Sequence, residues 1–145
     1  MLKRALGLCG LLVLAGCNAG GGTSGTGALS SMFNFINADV EGRNFSGQSL
    51  AGVSFAGAVA DGANFSNATL EGASFDSTHA HKALFINANL KRATLSNIDL
   101  TGGSLQGANL TGARIDNARF DDVNMTGATW VDGKVCGANS IGACK

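Results

Sequence analysis

Residues Ala63 to Phe75 read A-N-F-S-N-A-T-L-E-G-A-S-F, with Phe65, Leu70 and Phe75 five apart and Ala63, Ala68 and Ala73 two places before each. The frame continues in both directions. Phe35, Val40, Phe45, Leu50, Phe55, Ala60, Phe65, Leu70, Phe75, Ala80, Phe85, Leu90, Leu95, Leu100, Leu105, Leu110, Ile115, Phe120, Met125 and Trp130 are all apolar, and the spacing never slips. Two residues after the apolar one comes Gly or Asn in most repeats, as at Gly42, Gly47, Asn67, Gly72 and Asn87. Neither the 3.6 of a helix nor the 2.0 of a plain strand produces this period. Each unit is therefore a short extended piece ending in a corner, where Gly and Asn fit because they tolerate positive φ.

Residue identity repeats better at twenty than at five. Phe35, Phe55 and Phe75 form one series, Phe45, Phe65 and Phe85 a second, and Leu50, Leu70, Leu90 and Leu110 a third. A twenty-residue coil would stack each series on one face.

The units A-N-F-S-N (63–67), A-N-L-K-R (88–92) and A-N-L-T-G (108–112) resemble the pentapeptide-repeat family over about Phe33 to Asp132. That resemblance implies an all-β fold, a right-handed quadrilateral β-helix of about five coils. At roughly 4.8 Å per coil its length would be about 24 Å. The two ends of such a solenoid need closing. Trp130 ends the Leu series and is large enough to cover it, while Leu29, Met32 and Phe33 are the cap residues at the other end.

The first residues have another character. Lys3 and Arg4 precede a short apolar run, Ala5 to Val13, and then L-A-G-C at Leu14 to Cys17. The run is too short to span a bilayer and fits a cleaved signal. The tetrapeptide resembles the lipobox of bacterial lipoproteins. The resemblance implies cleavage before Cys17, lipidation of its thiol and acylation of the new amino terminus, anchoring the chain to a membrane. An ordinary secretory signal cut elsewhere is the alternative. Asn18 after the cysteine, rather than Asp, points to the periplasmic face of the outer membrane under the enterobacterial sorting rule. The division expected is residues 1–16 signal peptide, 17–30 Gly/Ser/Thr tether, 31–132 β-helix and 133–145 a C-terminal tail. In an exported chain, Cys136 and Cys144 read as a short-loop disulfide pinning that tail, with a C-x7-C metal site as the weaker reading.

Function has to sit on the outward positions, which flank each apolar centre. Most are Ser, Thr, Asn, Asp or Gln, and no nucleophile motif such as G-x-S-x-G appears. No enzymatic activity and no cofactor are expected. Some family members mimic duplex DNA and bind gyrase through an acidic rod. Here, without Lys3 and Arg4, eight basic residues stand against ten acidic ones, a net charge of −2. That is too little for an anionic rod, and a basic stripe for nucleic acid is also lacking.

Both histidines lie in D-S-T-H-A-H-K, Asp76 to Lys82, flanking inward Ala80. At a twenty-residue register Asp61 lies one coil below His81, and Asp99 one coil above His79. His79, His81, Asp61 and Asp99 are thus candidate metal ligands, against the simpler reading of a surface ladder in which each imidazole rests beside an acid. Leu84 and Ile86 flank inward Phe85 on the next face. With His79, His81 and Lys82 they make a strip that is the candidate contact surface for another protein. The expected function is a non-catalytic, lipid-anchored envelope protein presenting a rigid scaffold to an envelope partner. The alternative is a metal- or small-ligand-binding envelope protein using the His79/His81 face.

Overall fold

The computed structural model describes residues 34–145. Cys17, the signal segment, the tether and the proposed cap residues Leu29, Met32 and Phe33 lie outside the described residues.

Parallel bridges join residues twenty apart at every fifth position, from Asn34 with Ser54 through Asn109 with Thr129. The chain therefore climbs one layer every twenty residues, with four sides to a layer. Each side bonds upward in the same way. Phe55, for example, donates its N–H to the Ser74 carbonyl at 2.7 Å, and Gly57 donates to Asp76 at 2.9 Å. Two sides on, Phe65 and Asn67 repeat the pattern toward Leu84 and Ile86. Every corner is a turn closed locally, as where Ala58 donates to Phe55 at 3.0 Å. The residue two past each centre from Phe35 to Met125 has φ near +60°, whether Gly, Asn, or less favoured types such as Ser77, Lys82 and Arg92.

The central residues define four faces. The first carries Phe35, Phe55, Phe75, Leu95 and Ile115. The second carries Val40, Ala60, Ala80, Leu100 and Phe120. The third carries Phe45, Phe65, Phe85, Leu105 and Met125, and the fourth Leu50, Leu70, Leu90, Leu110 and Trp130. Phe rings stack within the first and third faces, 4.8 Å between Phe35 and Phe55 and 5.0 Å between Phe45 and Phe65. The two ladders meet edge to face across the interior, Phe55 to Phe65 at 5.3 Å. Such aromatic pairs gain about 0.5–1.5 kcal/mol beyond burial. Crowding by these rings accounts for the small Ala60 and Ala80 on the second face. Above Phe85 the aromatics give way to Leu95 and Leu105, and Ile98 and Leu100, both buried, take up the space. Thr78, buried in an otherwise apolar column, donates its hydroxyl to the Phe55 carbonyl at 2.8 Å.

The tail closes half of the upper end. Val135 bridges Thr129 and Ile141 bridges Asn124, both antiparallel, so residues 135–141 lie over the third and fourth faces. The Cys136–Cys144 disulfide, Cα atoms 4.9 Å apart, pins this segment. Trp130 ends the fourth column partly buried, edge-on to Phe120 at 5.6 Å.

Candidate functional site

One main-chain donor in each unit has no partner in the ladder, the N–H of the residue just after the centre. In many units a preceding Asn, Asp or Ser takes it. Asn34 Oδ1 accepts from the Ile36 N–H at 2.9 Å, Asn64 Oδ1 from Ser66 at 2.9 Å and Asn124 Oδ1 from Thr126 at 3.0 Å. This turn explains why Asn and Asp recur before the apolar residue.

His79 occupies that capping position. The His81 N–H goes instead to Asp61 Oδ1 in the layer below, at 2.8 Å. The same oxygen lies 3.2 Å from His81 Nδ1, while His81 Nε2 lies 3.2 Å from Asp99 Oδ2 in the layer above. One imidazole thus links three layers.

Asp99 is the best-shielded member. It accepts from the Thr101 hydroxyl at 2.6 Å, from the Thr101 N–H at 3.2 Å and from Arg119 Nη1 at 3.0 Å. Arg119 Nη2 continues to Asp121 at 3.2 Å. Burial of the His81 ring works against its charge, but the Asp61 and Asp99 carboxylates outweigh it, and the pKa lies above the ordinary 6.5. Burial likewise opposes ionisation of Asp99. The Thr101 and His81 hydrogen bonds overcome it and hold the carboxyl below its usual 3.8.

This corrects two expectations. The imidazoles do not each rest beside an acid: His81 gathers both carboxylates, and His79 stands apart and exposed, its ring 6.4 Å from that of His81. Nor do His79, His81, Asp61 and Asp99 converge as a ligand set. Among the described residues no three His, Cys, Asp or Glu side chains are grouped to hold a metal ion. The physical reason is that His81 faces one acid in each direction along the rod, with both ring nitrogens engaged.

The strip lies where the register places it. Leu84 bridges Asn64 below and Ser104 above, with its side chain exposed at a corner from Lys82. Ile86 is half-buried beside it. Arg119, Thr101 and Asp121 escaped the sequence reading, although residue 119 is one register step above Asp99.

The family model "Pentapeptide repeats (8 copies)" matches residues 34–67, 42–76, 63–102 and 88–127, together more than half of the chain. Among solved structures the chain is similar to HetL, a pentapeptide repeat protein involved in heterocyst differentiation regulation from the cyanobacterium Nostoc. The identity is 21% over 70% of this chain and 61% of that one, with a TM-score of 0.57. It is also similar to QnrB1, a plasmid-mediated fluoroquinolone resistance protein, at 22% identity over 74% of this chain and 64% of that one, TM-score 0.51. The chain spans less than two thirds of the length of either. No curated protein matches it in sequence. What these likenesses establish is the fold, a right-handed quadrilateral β-helix. With the matched repeats covering most of the described layers, the chain belongs to the pentapeptide-repeat family.

Proposed function

We propose that this chain is a non-catalytic, lipid-anchored protein of the cell envelope whose rod presents a fixed surface to another protein. The observation that carries the proposal is the mounting of the outward side chains. In the inner layers each sits on main chain hydrogen-bonded to the layers above and below, so its position is set before any partner arrives, which lowers the ordering cost of association. Family members are non-enzymatic scaffolds, which supports the same reading. The contact strip is His79, His81, Lys82, Leu84 and Ile86. It combines exposed Leu84 and half-buried Ile86 with adjoining polar groups, a composition suited to a small protein contact.

Crosslinking in cells tests the strip. The Leu84→Asp/Ile86→Asp variant is expected to lose a partner band that the unaltered chain gives, and an unchanged pattern would refute the assignment. The anchor is tested separately. Cys17→Ser is expected to move the protein from the membrane fraction to the soluble one, and equal membrane retention would exclude lipidation at that residue.

A further inference from the structure

Among the described residues the tail covers two of the four sides at the upper end, and the other two keep their docking groups. Within the rod, each pair of sides offers six main-chain groups to the layer above. On residues 93–102 all six are used. The Ala93 and Ile98 carbonyls accept from Arg114 and Arg119 at 2.9 and 2.8 Å. The N–H groups of Leu95, Asn97, Leu100 and Gly102 donate to Arg114, Asp116, Arg119 and Asp121 at 2.7 to 3.0 Å. One layer higher, the equivalent groups are the carbonyls of Ala113 and Ala118 and the N–H groups of Ile115, Asn117, Phe120 and Asp122. Among the described residues none of these six has a main-chain partner. Beside them opens a groove of about 600 Å³, lined by Phe120, Met125 and Trp130 and by tail residues including Val135 and Cys144. Phe120 and Trp130 are only partly buried there, unlike the fully covered centres below them.

We propose that this edge is a docking site for an extended peptide segment of a partner protein, which adds the missing half-layer in parallel. Strand addition at an unpaired edge draws affinity from main-chain bonds and selectivity from alternate side-chain pockets. The spacing of the six groups specifies the ligand. It must turn a corner after its first three bonds, so it carries Gly or Asn two residues past an apolar residue. A second apolar residue follows five after the first. The apolar side chains then cover Ile115 and Phe120, the second lying against Trp130. This site is at the end of the rod and independent of the Leu84 strip, so either can fail alone.

The probe is the synthetic peptide A-T-L-S-N-I-D-L-T-G, the chain's own residues 93–102, which already present this pattern to the underside of the same edge. Trp130 is the sole tryptophan, so its emission in the purified full chain reads occupancy directly. A saturable change is expected. N-methylation of the peptide at the positions of Thr94 and Asp99, which removes the donors to Ala113 and Ala118, is expected to weaken binding at least tenfold. Ile115→Pro deletes a donor that makes no bond within the described ladder, and is expected to weaken the peptide without altering the circular dichroism. If that variant does not fold, the N-methylated peptide still decides. No saturable change, or equal binding of the N-methylated peptide, overturns the proposal. So does sedimentation showing that a second copy of the chain occupies this end and excludes the peptide.

Discussion

In the layers two below and one above His79, the equivalent residues Asp39 and Asp99 accept the N–H two residues on, at 3.2 Å each, and histidine stands in that position here. Asp61 supplies the missing acceptor from the layer below, at 2.8 Å. Replacing Asp61 by Ala should therefore cost about 0.5–1.5 kcal/mol, the net value of one such hydrogen bond. Restoring the local acceptor with His79→Asn should make Asp61 largely dispensable. Urea unfolding of the two single variants and the double variant measures the coupling, and strictly additive losses would show that the two positions do not share the donor. The ring of the same His81 gives the site its pH dependence. Its raised pKa means that its contribution is complete below 6.5 and is lost as pH rises through the folded value. The lowered Asp99 contributes fully above 3.8 and loses that contribution as pH falls through its own folded value. The link is thus strongest between those limits. Because 43% of the His81 side chain is exposed, solvent screening holds the effect to less than about 1 kcal/mol. Imidazole titration by NMR should give His81 a pKa above 6.5 that falls toward it in Asp99→Asn, and a value at or below 6.5 in the unaltered chain would contradict the geometry.

The unit of this architecture is the side, five residues long, and its interior obeys volume exchange between faces. Leu100 replaces the Ala seen at 60 and 80, and Gly103 replaces the Ala seen at 63 and 83. A Cβ on Gly103 would lie 2.8 Å from Leu100 Cδ1, 2.7 Å from the Ala83 carbonyl oxygen and 2.9 Å from that of Leu100. Main-chain oxygens cannot swing aside as a side chain can, so Gly103→Ala should destabilise by about 1–3 kcal/mol through overpacking. Thermal unfolding of the variant tests this, and an unchanged or raised Tm would show that the layer relaxes freely. Much at this scale was legible in the sequence. The period of five located every corner, and the period of twenty placed Asp61 below His81 and Asp99 above His79. What periodicity cannot convey is where a side chain turns once it leaves the main chain. That His81 would take both acids and leave His79 apart depends on which main-chain donor lacks a local acceptor. The reach of Arg119 to Asp99 depends on side-chain length, which a column of residue names does not display.

In the whole molecule stability passes from layer to layer, so the state of the ends decides where unfolding begins. The two cysteines announced a closed tail, but not which sides it would cover, because its antiparallel pairing breaks the repeat that made the rest readable. In the structure that tail supplies acceptors to Met125 through Ser140 and to Gly127 through Cys136, both within 2.9 Å. Closing so short a loop by a disulfide contributes about 2–3 kcal/mol on chain-entropy grounds. Cys136→Ser/Cys144→Ser should therefore loosen the upper end first. Hydrogen exchange should quicken at the amides of Met125, Gly127 and Trp130, which bond to the tail, and should leave those of Phe55 and Phe65 unchanged, since they donate to layers well below it. Uniform loss of protection along the rod would mean instead that the layers unfold as one unit. The cap would then stabilise the entire solenoid and not its last layer alone.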